Sequence, residues 1–160
     1  MSSKERESKI ASYGRAYEAL MAGLRQFPEE MWDFRDEHGC WSIREHLVHI
    51  ADSEANSYIR CRRFIAEPGQ PLMAYDENSW AESLCYPEQD TQQCLELFRL
   101  LRQQTYALIK ALPENAWANV CYHPENGDMT LGDWLTVYEA HIPEHLGFMQ
   151  ENYDAWRKTR

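Results

Sequence analysis

The sequence has too few residues of several kinds for some common protein classes. Seven glycines and seven prolines in 160 residues are too few for an all-β chain, which needs many tight turns. The 16 basic residues are outnumbered by 26 acidic ones, for a net charge of −10, and they form no basic cluster. Binding to nucleic acid or to an anionic membrane surface is therefore disfavoured, because both require concentrated positive charge.

Paired cysteines and long apolar runs are missing as well. The five cysteines are far apart, odd in number and without a Cys-x-x-Cys pair, which argues against a disulfide framework and a thiolate zinc site. No apolar run approaches the roughly 18 residues of a membrane-spanning helix, and the charged residues 1–12 lack the apolar core of a signal peptide. These absences predict a protein of the reducing cytoplasm.

The chain has enough apolar residues to form a folded core. Hydrophobic residues make up 44% of the sequence and aromatic residues 12%, a composition typical of globular rather than disordered proteins. A chain of this length buries a core without disulfides or a structural metal. We therefore expect residues 1–160 to form a single domain.

Apolar residues recur every three or four positions in four stretches, which predicts four amphipathic helices. These run from Lys4 to Gln26, from Ser42 to about Glu67, from Asp90 to Pro113, and from Thr130 past Met149. The second helix begins with a capping box of Ser42 and Glu45, in which each side chain satisfies a free amide of the other residue. Thr130 caps the fourth helix in the same way, with Asp133 as its partner.

The predicted inner faces follow from the same spacing. On the third helix the inward residues are expected to be Cys94, Leu97, Phe98, Leu101, Tyr106, Leu108 and Leu112. On the fourth helix they are expected to be Leu131, Leu135, Tyr138, Ile142, His145, Met149 and Tyr153. Both stripes would face a common core.

The segments between the helices differ in length and chemistry. The second connection contains two prolines within residues 68–75, followed by a possible short helix from Asp76 to Leu84. Before the last helix, Asn126-Gly127 is a strong turn signal and favours a short hairpin. Four long helices with one long crossover between the second and third predict an all-α four-helix bundle.

Four of the six histidines fall on two of the predicted helices. His46 and His49 are on the second helix, and His141 and His145 are on the fourth. The remaining two, His38 and His123, lie in polar loops and are expected to face solvent. A lone helical histidine is more often a core residue bonded to a carbonyl, but pairs of histidines on two helices weaken that interpretation.

A bound metal ion would explain why histidines occupy these helix positions. Residues four apart on a helix project from one face, so His141 and His145 point toward a common position. Neutral imidazole is a good ligand for zinc, nickel, copper and iron, and three imidazoles would leave coordination positions open for water or substrate. As the third ligand, periodicity mildly favours His46 over His49, although helical spacing excludes neither.

Three segments carry a resemblance to a known family. They are WSIREHLVHIADSEANSY at residues 41–58, YDENSWAE at residues 75–82 and TLGDWLTVYEAHIPEHLGFM at residues 130–149. The first combines Trp-Ser, a histidine, Ala-Asp-Ser and Asn-x-Tyr, and the last ends in His-x-x-x-His. Together they resemble the DinB/YfiT-like superfamily of damage-inducible-type four-helix bundles.

The resemblance implies a metal triad with one histidine on the second helix and two on the fourth. Matching the family's His-Ile-Ala-Asp-Ser motif places the first ligand at His49, and the others fall on His141 and His145. Zinc or nickel is the ion expected, with iron, manganese or copper as alternatives. Two departures are Pro143, which predicts a kink inside the last helix, and Glu144, where many relatives carry a further histidine.

The resemblance also implies an enzymatic activity on a small molecule. The YfiT-like branch includes metal-dependent transferases that join a low-molecular-weight thiol, such as bacillithiol, to an electrophile. Metal-dependent hydrolysis at the same site is the alternative, and a non-enzymatic binding or dimerisation bundle with structural histidines is a third. No catalytic residue beyond the ligands is assigned, because Asp52, Glu54 and Tyr58 fit a solvated or packing role as well as a chemical one.

The family commonly dimerises, so a homodimer is expected. Three tryptophans, Trp80, Trp117 and Trp156, are candidates for an exposed interface. The alternative is that they pack against the connections of the bundle.

Overall fold

The computed structural model describes residues 1–36 and 39–160, and most of them are helical. The helices are α1 (Ser3–Gly14), α2 (Ala16–Leu24), α3 (Ile43–Ala66), α4 (Glu77–Ser83), α5 (Thr91–Ile109) and α6 (Leu131–Lys158). Two short strands, β1 (Val120–His123) and β2 (Gly127–Thr130), form an antiparallel hairpin. Short 3₁₀ turns occupy Glu29–Met31, Tyr86–Glu88 and Glu114–Ala118. Within this part of the chain, no helix is long and apolar enough to cross a membrane.

The predicted helix starts are confirmed in atomic detail. The Ser42 hydroxyl accepts from the Glu45 amide and the Glu45 carboxylate accepts from the Ser42 amide, which is the capping box at the start of α3. Thr130 and Asp133 make the same box at the start of α6. Each box lies within four residues of sequence, so local chemistry is sufficient to specify it.

The prediction of one continuous first helix is wrong in one respect. The chain leaves helical geometry at Arg15 and resumes at Ala16, which divides the segment into α1 and α2. At the break, Gly14 lies so close to α5 that a Cβ on it would be 2.6 Å from the Tyr106 ring. Glycine permits this close approach because it has no side chain.

The long helices pack around one another as a bundle. Helix α3 makes its most extensive contacts with α5 and also packs on α6, while α1 and α2 pack on both α5 and α6. The largest of three core clusters among the described residues contains Ala16, Leu20, Leu24, Phe27, Met31, Ile43, Leu47, Ile50, Leu95, Phe98, Ile142 and Met149. The contact between α3 and α6 is the one that brings the helical histidines together.

The inner face of α6 is as predicted, but that of α5 is not. Six of the seven residues expected on α6 are buried, and the seventh, Tyr153, is partly buried. On α5, Leu97 is 45% exposed, whereas Arg102 and Thr105 are buried. The interior face of α5 is therefore rotated from the predicted one, because Arg102 finds a carboxylate partner in the core.

The connection between α3 and α5 contains α4, as expected. It is fixed to the hairpin by two backbone hydrogen bonds: the Gly69 amide donates to the Val120 carbonyl, and the Leu72 amide donates to the Tyr122 carbonyl, both at 2.7 Å. The hairpin turn has Gly127 at φ +73°, a conformation that glycine adopts without strain. The course of this connection as a long crossover stays a prediction.

Two residues predicted to be exposed are buried. His123 is 5% exposed, because β1 alternates and turns Cys121 and His123 inward. Trp117 is 7% exposed and packs in the second core cluster, beneath the guanidinium of Arg6. Trp80 and Trp156 are partly buried. His38 lies outside the described residues.

Candidate metal centre

Three of the four helical histidines converge on one point between α3 and α6. His49 comes from α3, while His141 and His145 come from successive turns of α6. The Nε2 atom of His141 is 3.3 Å from Nε2 of His49 and 3.0 Å from Nε2 of His145. One ring nitrogen from each residue lies within 4.8 Å of those from the other two. The structure thus brings together the three residues that the family motif selects.

These distances suit a shared metal ion. Two imidazole nitrogens that each lie roughly 2.0–2.1 Å from a zinc ion at a tetrahedral angle are about 3.3 Å apart. The spacings of 3.0 and 3.3 Å around His141 fall close to that value. The residues present therefore fit a divalent cation, and three ligands would leave it open to water or substrate.

The electrostatic environment keeps these rings neutral. Burial, followed by the proximity of His145 and then of His46, lowers the pKa of His49 to about 3. Burial lowers the pKa of His145 to about 4, and burial with His145 and His49 nearby lowers that of His141 well below its usual value. A neutral imidazole has a free lone pair on one nitrogen, which is the form that binds a metal.

His46 lies beside the triad but faces a different atom. Its Nδ1 is 2.9 Å from Nδ1 of His145, on the opposite side of that ring from the convergent Nε2. A ligand histidine usually donates its other ring N–H to a fixed acceptor, which orients the ring. His46 lies where it can be this fixed partner of His145. Periodicity mildly favoured His46 over His49 as the third ligand, but the three-histidine cluster contains His49.

An aromatic side chain closes one side of the cluster. The Trp41 ring lies 4.9 Å from the His49 ring and 5.7 Å from the His46 ring, centroid to centroid. Trp41 immediately precedes the helix cap at Ser42, so the start of α3 positions it. Sequence reasoning used Trp41 only as part of a motif and did not foresee this contact.

Asp52, Glu54 and Tyr58, which follow His49 on α3, each have a side-chain partner elsewhere in the bundle. Asp52 accepts a 2.7 Å hydrogen bond from the Tyr86 hydroxyl, and Tyr58 donates to the Gln104 side chain at 3.2 Å. Glu54 forms a buried ion pair with Arg102 at 2.6 Å. These contacts assign none of the three residues a catalytic role.

The Glu54–Arg102 pair and its hydrogen-bond partners connect four helices, α1, α3, α5 and α6, next to the cluster. Arg102 on α5 also donates to the carbonyl of Tyr138, one turn before His141 on α6, at 3.1 Å. The Tyr13 hydroxyl donates to the second oxygen of Glu54 at 2.9 Å. The signal in the sequence was an arginine four residues after Phe98, on the same face of the helix.

The two departures from the family pattern lie on the surface. Pro143 and Glu144 are both exposed, between the inward His141 and His145. Helix α6 continues through Pro143 from Leu131 to Lys158. The extra histidine that many relatives carry would therefore stand, at Glu144, on the outer side of this helix.

Comparison with known proteins identifies relatives of the whole chain. The model of the DinB superfamily matches residues 12–149. The "Putative metal-dependent hydrolase YfiT" of Bacillus subtilis (strain 168) is 31% identical over 156 residues, covering 93% of this chain and 85% of that protein. The "Putative metal-dependent hydrolase OB0782" of Oceanobacillus iheyensis is 31% identical over 117 residues, covering 73% of this chain and 67% of that protein.

A solved structure agrees with the architecture. It is described as "YfiT from Bacillus subtilis is a probable metal-dependent hydrolase with an unusual four-helix bundle topology". It aligns with a TM-score of 0.87 at 25% identity and covers 95% of this chain and 87% of that chain. The prediction of a four-helix bundle is confirmed at this level, with the small hairpin as an addition.

Proposed function

The chain belongs to the DinB superfamily, and from this premise we propose that it is a divalent-metal-dependent enzyme whose ion is held by His49, His141 and His145. The observation that carries the proposal is the convergence of three neutral imidazoles at ligand spacing. The names of the relatives support it, because those proteins are called metal-dependent. Zinc or nickel is the proposed ion, with iron, manganese or copper as alternatives.

The reaction we propose is thiol S-transfer from a low-molecular-weight thiol to an electrophile. A divalent ion on the triad would supply Lewis acidity, which lowers the pKa of a thiol or of water toward neutrality. In the transfer a carbon–sulfur bond forms, the bond from carbon to the leaving group breaks, and the thiol proton passes to solvent. The contribution of the chain is positional: His46 fixes the ring of His145, and Trp41 covers His49.

Hydrolysis at the same site is the second candidate. It is favoured by the printed names of the relatives, which are called metal-dependent hydrolases. Both reactions need an acidic metal with open positions, so the triad supports either one. Substrate panels separate them: thiols with electrophiles for the first, and esters and amides for the second.

The test begins with the metal content of the purified, untagged protein, measured by mass spectrometry. We expect one ion per chain in the native protein and none in His49→Ala or His141→Ala. The matched control is His123→Gln, which changes a buried histidine on β1 outside the three-histidine cluster and should retain the ion. A native protein without stoichiometric metal would refute the metal centre and favour a bundle with structural histidines.

Activity is then measured with the metal-loaded protein. Thiol transfer predicts loss of free thiol and release of halide from an aryl halide, in equal amounts, and the loss of both in His141→Ala. A loaded protein that turns over no thiol but cleaves an ester or amide would replace the first reaction with the second.

A further inference from the structure

An open cavity of about 360 Å³ adjoins the triad. His145 and His46 form part of its wall, together with Trp41, which packs on His49. The cavity is therefore placed where a substrate would lie while it reacts at the histidines. Its chemistry indicates which class of substrate it accepts.

The cavity is lined by negative charge. Its described wall includes the carboxylates of Asp36, Glu77 and Glu151, and no lysine or arginine. Asp36 accepts a hydrogen bond from the Cys40 amide at 3.2 Å, so the argument rests on the two glutamates. Neither Glu77 nor Glu151 forms an ion pair with a described residue. A concave surface with charges of one sign concentrates their field and draws in ligands of the opposite sign.

The environment of Glu77 agrees with this picture. Burial, with the nearby carboxylate of Glu125, raises the pKa of Glu77 even though Arg60 acts in the opposite direction. A cation bound in the cavity would remove this penalty, because an adjacent positive charge favours the ionised carboxylate.

Aromatic rings form the other part of the wall. Phe148 is 50% exposed and stacks on His46 with ring centroids 6.0 Å apart, while Trp41 stands beside both histidines of α3. Exposed aromatic faces bind apolar bodies, and they also attract cations placed within about 6 Å of the ring. The wall thus suits a ligand with an apolar or aromatic body and a positive group.

A polar acceptor in the same wall is unsatisfied. Asn152 is only 4% exposed, and its Nδ2 donates to the Phe34 carbonyl at 2.8 Å. Its Oδ1 is buried without a hydrogen-bond partner among the described residues. Asn152 lines the cavity and buried acceptors are rarely left unpaired, so an N–H of a bound ligand that reached Oδ1 would complete the side chain.

From these three features we infer that the cavity beside the triad binds a protonated amine carried on an aromatic or apolar body. Glu77 and Glu151 attract the charge, Trp41 and Phe148 contact the body, and Asn152 accepts from the N–H. This inference specifies the substrate class of the proposed enzyme. It rests on the proposed function in one respect, namely that the cavity holds the substrate of the metal site.

Binding to the metal-loaded protein tests the inference without requiring turnover. The probes are benzylamine and benzyl alcohol near pH 7, measured by titration calorimetry, together with benzyltrimethylammonium, which is charged but cannot coordinate a metal. We expect benzylamine to bind at least tenfold more tightly than the alcohol. The quaternary ion should lie between the amine and the alcohol, because it keeps the charge but lacks the N–H.

Variants then locate the source of the preference. Glu77→Gln and Glu151→Gln should each reduce the ratio of amine to alcohol affinity severalfold. Glu7→Gln, an exposed glutamate on α1 that does not line the cavity, is the matched control and should leave the ratio unchanged. Both glutamates reach solvent, although neighbouring groups partly shield the carboxylate of Glu77, and neither forms an ion pair with a described residue, so these substitutions do not threaten folding.

The outcomes separate this inference from the proposed function. Equal affinities for benzylamine and benzyl alcohol, or no binding of any probe at millimolar concentration, would overturn the inference even if the enzyme turns over a thiol. A preference for benzylamine that is absent for the quaternary ion and unaffected by the glutamate variants would also overturn it, because it would reflect coordination to the metal. A charge preference in a protein that turns over no thiol or ester would leave the inference standing and refute the proposed activity.

Discussion

Replacing Arg102 with methionine should strongly destabilise the protein. The guanidinium of Arg102 and the carboxylate of Glu54 are each 1% exposed and lie 2.6 Å apart. In Arg102→Met the carboxylate stays buried with only the Tyr13 hydroxyl as a partner, and the Tyr138 carbonyl loses a donor. Methionine is close to arginine in volume, so the main change is the loss of charge and hydrogen bonds.

The size of the effect follows from the burial of the pair. Removing one partner of a buried ion pair typically costs about 3–5 kcal/mol, because the remaining charge has neither water nor a counter-ion. That is a large share of the roughly 5–15 kcal/mol by which domains are stable. With a urea m-value of about 2 kcal/mol/M, the midpoint of unfolding should fall by roughly 1.5–2.5 M.

The assay is urea unfolding of the metal-free protein, followed by circular dichroism and tryptophan fluorescence. Glu54→Leu should be destabilised to a similar extent, because it leaves Arg102 as an uncompensated buried charge. The double variant Glu54→Leu/Arg102→Met contains no buried charge at this position. It should recover at least about 2 kcal/mol relative to either single variant, since apolar replacements of buried pairs are often neutral.

Two results would refute this reasoning. Single variants that lose less than about 1 kcal/mol would mean that the pair is solvated in solution, as surface ion pairs are. A double variant that loses the sum of the two single effects would mean that the residues act independently.

Other predictions concern the helix start, the supporting histidine and the assembly. Ser42→Ala removes the cap of α3 and should lower the free energy of unfolding by about 0.5–2 kcal/mol, measured in the same urea titration; no change would argue against the capping box. His46→Phe removes the contact with Nδ1 of His145 and should weaken metal affinity by about 10–100-fold, measured by competition with a chelator, whereas complete loss of the metal would make His46 a ligand. We propose a cytoplasmic homodimer, for which light scattering should give twice the 18.9 kDa chain mass, and a monomer at micromolar concentration would exclude it.

Features that depend on neighbouring residues were predictable from the sequence. The capping boxes at Ser42 and Thr130 and the turn at Gly127 involve residues at most three positions apart, so their chemistry is complete within the local chain. The inner stripe of α6 was also predictable, because its apolar residues keep a regular spacing and carry no charge.

Features that depend on distant partners were not predictable in this way. Arg102 occupies the core face of α5 because Glu54, 48 residues earlier, supplies its counter-charge. His123 and Trp117 lie between the predicted helices and were expected to be exposed, yet both are buried. Burial at these positions results from tertiary packing, so it cannot be predicted from the neighbouring residues alone.

The candidate metal site shows most clearly which features follow from the local sequence and which follow from tertiary packing. The sequence by itself determined that His141 and His145 share one face of a helix, because a separation of four residues is slightly more than a turn. It did not determine by spacing which histidine of α3 joins them, since His46 and His49 are one turn apart and both are buried. The motif selected His49. Only the packing of α3 against α6 brings Nε2 of His49 to 3.3 Å from Nε2 of His141 and leaves His46 on the far side of His145. The sequence around the histidines does not determine this, because the relative rotation of two packed helices is set by contacts along their whole length.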